Sequence, residues 1–393
     1  MNTTKLLLLP LLLIGGLVAN SVSAAGANCA AVGGTLLKWP ADKPIWEMCW
    51  LKPSNSVGVD GSGLELRDIH YKGILVAKRM HAPILFAEYR NSGTCYRDWK
   101  DADARFVASP SVRNQLGIPV GFDATTSCDL SQAATASYGN CPFTAAPGSS
   151  FISADCIAAP GGVAIEDKSD HVVLTTQYSA SWYQYTSRYV FWANGDIQPE
   201  FGYGNNNGTN NNLTHWHHNY WRWDFDIDGT GNNIIKANDV AQTSEFTGLR
   251  SLTGGPNGGP TYWDVVTSNL GSFGYRIVSG AGDYNPPNES GRNFHTVDVI
   301  GSVFKNGEYA DKSDNNLGDC AFVPGNIANS ENIDKKDVVF WYTASARDAN
   351  GNNWPPGCSG ASCEPQNSMV CKQVGPTITQ IGDWPILRDG FDG

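Results

Sequence analysis

The run His215-Trp216-His217-His218-Asn219-Tyr220-Trp221-Arg222-Trp223-Asp224-Phe225-Asp226-Ile227-Asp228-Gly229 decides how this chain is read. It gathers three of the seven histidines and three aspartates. Successive residues of a β-strand point to opposite faces. On that alternation His215 and His217 share a face with Trp221, Trp223, Phe225 and Ile227. Two imidazoles at this spacing reach one transition-metal ion. The other face carries His218, Arg222, Asp224, Asp226 and Asp228. Carboxylates in that pattern suit a hard cation such as calcium. The competing reading is a histidine-rich strand with a solvated acidic end. An EF-hand is excluded. Asp224-x-Asp226-x-Asp228-Gly229 fits the first six loop positions, but the twelfth is Ile235 instead of an acid. Phe225 and Ile227 are also too apolar for an exposed loop.

Outward from this run, residues 1–24 have the pattern of a secretory signal. Lys5 precedes an apolar core, and Val22-Ser23-Ala24 forms a small-residue cleavage site. The expectation is an exported protein, secreted or periplasmic. Ten cysteines follow, Cys29, Cys49, Cys95, Cys128, Cys141, Cys156, Cys320, Cys358, Cys363 and Cys371. An even number in an exported chain predicts mostly disulfides, with the pairing left open. The net charge of −11 disfavours nucleic acid and anionic membrane as partners.

Amphipathic helical periodicity is scarce. Short strand-like runs alternate with Gly, Asn and Pro turns, which predicts an all-β fold, a large antiparallel β-sandwich. Residues 25–62 read as an irregular cysteine-bearing segment with a Gly/Ser linker, and residues 63–393 as the main domain. Within 64–89, two strands break at Tyr71-Lys72-Gly73. Asn194-Gly195 turns a hairpin between 189–192 and a strand starting at Ile197. Residues 130–165 read as a stapled loop. The run Asp337-Val338-Val339-Phe340-Trp341-Tyr342 fits a strand buried on both faces.

Several of these landmarks coincide in order with one family. The chain resembles the catalytic domain of the copper amine oxidases. The histidine run resembles that family's copper-binding strand, with Arg222, Asp224, Asp226, Asp228 and Gly229 at matching offsets and Asn232-Asn233-Ile234-Ile235 downstream. Residues 63–71, Ala87-Glu88-Tyr89, Asn306-Gly307-Glu308-Tyr309, the segment 331–343 and Gly382-Asp383-Trp384-Pro385 are similar to further family motifs in the same order. The resemblance implies an antiparallel β-sandwich, usually a homodimer. In the family, copper and a quinone made from a chain tyrosine (topaquinone) oxidise primary amines. An aspartate removes the α-proton, aldehyde is released, and O2 returns the cofactor with peroxide and ammonia.

Transferred residue by residue, the resemblance implies copper ligands at His215 and His217. The family's third histidine falls at Asp348, a harder oxygen ligand. His218 would substitute only if the strand twists or bulges, and His171 and His295 are remote candidates. The quinone-forming residue would be Tyr183, flanked by Trp182 and Gln184 where the family has asparagine and an acid; Tyr185 matches. The proton-abstracting base would be Asp101 or Asp103, without the family's following glycine and glutamate. A structural calcium site would take Asp224, the Phe225 carbonyl, Asp226, Asp337 and the Val338 carbonyl. Two further readings stand beside the oxidase: a non-catalytic, calcium-stabilised sandwich that has lost the cofactor, and a copper-binding protein without a quinone.

Overall fold

The computed structural model describes residues 29–51, 55–57, 64–89, 95–97, 104–105, 150–154, 163–167, 169–180, 183–205, 215–249, 261–269, 273–280, 297–306, 327–348 and 371–383. The histidine run forms one strand, His215–Phe225, with every residue buried. Among the described residues it lies inside a nine-stranded antiparallel sheet. Ile74–Tyr89 pairs on one side and Val338–Asp348 on the other. Beyond Ile74–Tyr89 the sheet continues through Glu65–Tyr71, Trp46–Leu51 and Thr35–Trp39. Beyond Val338–Asp348 it ends with Val299–Val303 and Phe246–Gly248. Cys95–Arg97 pairs onto Ile74–Tyr89 as a branch.

A second antiparallel sheet, of twelve strands among the described residues, faces the first. Its central run is Gly274–Val278, Thr377–Ile381, Ile197–Asn205, Tyr183–Trp192 and His171–Ala180. The fold is therefore all-β, and among the described residues the only helical turn is the 3-10 turn Cys29–Val32. No described helix is long and apolar enough to cross a membrane.

The alternation expected for the histidine strand holds. Trp221, Trp223 and Phe225 join the main core, which also takes Tyr185, Tyr189 and Phe191 from the facing sheet. Trp223 stacks on Tyr342 and Phe340 of the neighbouring strand, with ring centroids 5.9 and 6.3 Å apart. The opposite face is also buried. There Tyr220 joins Ile84, Phe86, Ile300, Val339 and Trp341 in a second cluster. Burial of each such side chain stabilises by roughly 1.5–3 kcal/mol. A one-residue slip would turn Trp221 and Trp223 out of the main core and Arg222 and Asp224 into it, so the register is strongly fixed.

The hairpins fall where the turn residues are. Lys72 and Gly73 have φ of 46° and 81° between Glu65–Tyr71 and Ile74–Tyr89. Gly195, at φ 102°, links Tyr183–Trp192 to Ile197–Asn205. The segment read as irregular is corrected. Thr35–Trp39 and Trp46–Leu51 pair with each other, and the second pairs with Glu65–Tyr71. Trp39, Trp46 and Trp50 are buried. Their strands are short and flank the Pro/Asp/Lys-containing turn 40–45, which masked the pattern in the sequence. Cys29 and Cys49 form a disulfide that ties this segment together. The stapled loop also yields strands, Ser150–Ala154 and Ala164–Asp167, at the edge of the second sheet.

At the far edge of the first sheet, the buried carboxylate of Glu245 joins three segments. It accepts from Lys305 Nζ (2.7 Å) and from the backbone N–H groups of Val303 (3.0 Å) and Asn329 (2.7 Å). Lys305 also donates to the Ile327 carbonyl and pairs with Glu331 at 3.4 Å. Burial alone would raise the Glu245 pKa. The Lys305 ammonium and the backbone donors outweigh it and hold the carboxyl below its ordinary value.

Candidate metal centres

His215 and His217 point into the space between the sheets and are fully buried. Their ring centroids lie 5.0 Å apart with the planes inclined at 74°. Two imidazoles bound at neighbouring positions of one ion, with metal–nitrogen distances of roughly 2 Å, hold their centroids roughly 4.5–5 Å apart. The pair therefore fits a shared transition metal. Tyr89, from the adjacent strand, stacks on His215 at 5.0 Å and 21°. The Tyr185 hydroxyl lies 2.8 Å from His217 Nδ1 and reaches it from the opposite sheet.

Position 348 is placed by register. His215 and Asp348 are direct cross-strand partners, so both positions share a sheet face. Tyr183 opens its strand, opposite Ala180 and Asn205. Along that strand Tyr189 lies against Trp223, and Tyr185 against His217. The strand thus advances toward position 183 as the histidine strand advances toward His215. Position 183 is two residues beyond Tyr185, on the same strand face and roughly 7 Å further along. Tyr183 and Asp348 accordingly lie at the end of the sandwich that carries the two histidines. Asp101, Asp103 and His295 fall outside the described residues.

His218 is not part of this group. Its Nε2 lies 3.0 Å from Glu88 and its Nδ1 2.9 Å from Ser345, on the opposite sheet face. The strand pairs without a bulge at that point; its register shifts fall later, between Tyr220 and Arg222 and between Asp224 and Phe225. His171 is also remote. It pairs with Trp192 at the other end of the tyrosine strand and hydrogen-bonds Asp170.

The acidic end of the histidine strand forms a second group. Carboxylate oxygens of Asp224, Asp226 and Asp337 lie within 4.8 Å of one another. Asp224 and Asp226 are buried, so this end of the run is not solvated. Phe225 and Val338 are cross-strand partners, which brings the residues beside them together. The loop after the strand is braced by Asn233. Its amide donates to the carbonyls of Gly229 and Gly231 and accepts from Ile227 N–H.

Burial, then repulsion from Asp224 and Asp337, pushes the Asp226 pKa up to about 8. Burial and the Asp224 charge raise Asp337 to about 6. Asp224 is raised by burial despite the opposing Arg222 and Arg79 charges; Arg222 lies 3.6 Å away. Oxygens separated by up to 4.8 Å can all reach one ion at the 2.3–2.6 Å of calcium. The all-oxygen donor set fits a hard cation, which would relieve the mutual repulsion.

The chain superposes on a copper-containing benzylamine oxidase from Hansenula polymorpha with a TM-score of 0.51 and 12% identity, covering 86% of this chain and 58% of that one. For the Aspergillus nidulans amine oxidase the values are 0.52, 16%, 86% and 50%. For the Pichia pastoris lysyl oxidase they are 0.52, 15%, 86% and 51%. The fold is that of the copper amine oxidase sandwich, in a divergent form. The chain spans about half to three-fifths of the length of these structures. No protein-family model matches the sequence, and no curated protein matches it either.

Two participants went unnoticed in the sequence as neighbours of the histidines, Tyr89 and Tyr185. Tyr185 sits two residues from Tyr183, so alternation puts it on the right strand face. Its partner on the other sheet has no local signature.

Proposed function

We propose that this chain is an exported, copper-dependent oxidase of primary amines, built on a reduced form of the amine oxidase sandwich. The observation that carries the reading is the buried His215–His217 pair facing a tyrosine strand whose hydroxyl at Tyr185 reaches His217. His215, His217 and Asp348 would hold copper, and Tyr183 would be the residue converted to topaquinone. That pair would supply the electron sink and the oxygen chemistry. The chain's own contribution is to orient and to exclude water. Tyr89 covers one face of His215, and the surrounding core keeps bulk water from the imidazoles. Asp101 or Asp103 would take the α-proton of the amine. Asp224, Asp226 and Asp337, with the carbonyls of Phe225 and Val338, would hold a structural calcium ion. Assembly as a homodimer belongs to the same reading.

A second reading rests on Trp182, Gln184 and Asp348, which replace the groups that flank the cofactor and complete the metal site in the resembling family. It is a scaffold that keeps the sandwich and its cations without the quinone. Titrating mature, copper-loaded, air-exposed protein with phenylhydrazine separates the two. A visible-absorbing adduct that disappears in Tyr183→Phe is the expected result. Bound copper with no adduct would remove the oxidase reading in favour of the scaffold.

A further inference from the structure

The Tyr185–His217 contact joins the two sheets at the candidate copper site. Tyr185 has 1% of its surface exposed and His217 none. Phe201 stacks on the tyrosine ring at 5.6 Å, which restricts its rotation. At 2.8 Å the oxygen and Nδ1 share a proton in a well-formed hydrogen bond. A neutral imidazole has one N–H and one lone pair, and the partner of one nitrogen decides which nitrogen can ligate.

We infer that Tyr185 is a positioning residue for the metal: it holds Nδ1 of His217 so that the ring presents Nε2 to the ion. The inference rests on the copper reading of His215 and His217. Its chemistry is simple. A metal on Nε2 requires the lone pair there, so the imidazole proton sits on Nδ1. Tyr185 must then accept that N–H through its phenolic oxygen. An acceptor in this position fixes the ring plane and raises the ligand's basicity. Because Tyr185 is two residues from Tyr183 on one strand, the same strand that would deliver the cofactor tyrosine also sets the angle of a metal ligand. Movement of one sheet relative to the other changes both together.

The test uses the mature protein and two readouts besides turnover. The first is Cu(II) affinity and the EPR hyperfine pattern of wild type, Tyr185→Phe and Tyr189→Phe. Tyr189 is buried on the same strand face beside Trp223, so its variant reports the effect of removing a buried hydroxyl without touching His217. Tyr185→Phe is expected to weaken copper binding roughly 10–100-fold and to alter the hyperfine pattern. Tyr189→Phe is expected to leave both unchanged. Unchanged affinity and spectrum in Tyr185→Phe would overturn the inference while leaving the copper reading intact. Failure of wild type to bind Cu(II) would overturn the copper reading, and this inference with it.

The second readout needs no variant. In histidine-15N-labelled wild type loaded with Zn(II), His217 is expected to show a slowly exchanging Nδ1–H and a metal-bound Nε2. A metal on Nδ1 would overturn the assignment, even if Tyr185→Phe did not fold.

Discussion

His215 and Asp348 lie directly opposite each other on adjacent antiparallel strands of one sheet. The copper reading proposed above gives position 348 the third ligand of the histidine pair, and exchange of ligand type tests it. Asp348→Ala is expected to weaken Cu(II) binding, and Asp348→His to tighten it by about tenfold, because imidazole suits copper better than a carboxylate oxygen. Competition titrations against a chelator of known affinity measure both. Equal affinity in wild type and both variants would exclude position 348 from the site.

The acidic trio predicts an unusual pH response for metal-free protein. Folding raises the pKa of Asp226 to about 8 and of Asp337 to about 6, each above the ordinary aspartate value of about 3.9. The folded state therefore binds more protons than the unfolded state between about pH 4 and 8. The contribution of these groups to stability is complete below pH 4 and is lost as pH rises through 6 and 8. Linkage sets the slope at about 1.4 kcal/mol per pH unit for each proton involved. Thermal melts in chelator should show Tm falling from pH 5 to 8.5. Millimolar calcium should remove the fall, and Asp226→Asn should flatten it without calcium. A Tm that rises across this range in chelator, or ignores calcium, would contradict the trio as a cation site.

The Glu245 carboxylate should matter more for stability than an exposed ion pair. Glu245→Ala leaves the N–H groups of Val303 and Asn329 and the Lys305 ammonium without their acceptor. The expected cost is about 2–4 kcal/mol in denaturant unfolding. Its lowered pKa has the opposite sign to that of the trio. This contribution is present above the ordinary carboxylate pKa and fades as pH falls through the folded value. Lys305→Met should lose part of the same stability. A change below about 0.5 kcal/mol for Glu245→Ala would place the network among ordinary surface pairs.

Gly195 offers a purely steric check. Its φ is 102°, and an added Cβ would meet the Tyr71 ring at 2.8 Å. Tyr71 itself donates to the Ala193 carbonyl in the same turn. Gly195→Ala should destabilise by about 1–3 kcal/mol through backbone strain and this clash. Chemical denaturation of the variant gives the number directly, and a neutral result would mean that the hairpin and Tyr71 separate freely.

The parts of this architecture legible in the sequence are those with local causes. Alternation sorted the histidine strand into faces, and the structure keeps that sorting from His215 to Phe225. Gly73 and Gly195 marked hairpins because φ above zero favours glycine. The apolar run at 338–342 signalled burial on both sides. Long-range pairing left no such trace. That Trp46–Leu51 would extend the first sheet depends on its pairing with Glu65–Tyr71, and its short length hid it. The meeting of Asp337 with Asp224 and Asp226 came from resemblance instead of spacing. The approach of Tyr185 to His217 depends on how two sheets stack, a property of the whole sandwich.

The burial of the histidine strand on both faces also has an evolutionary consequence. The side chains that fix its register, Trp221, Trp223 and Phe225, are selected for packing whether or not any metal binds. A lineage that abandoned oxidation would keep its two core-facing histidines aligned, held by neighbours that answer only to the core. Loss of chemistry in such a sandwich would therefore be recorded at positions other than these, and 182, 184 and 348 are where this chain differs from the pattern that it resembles.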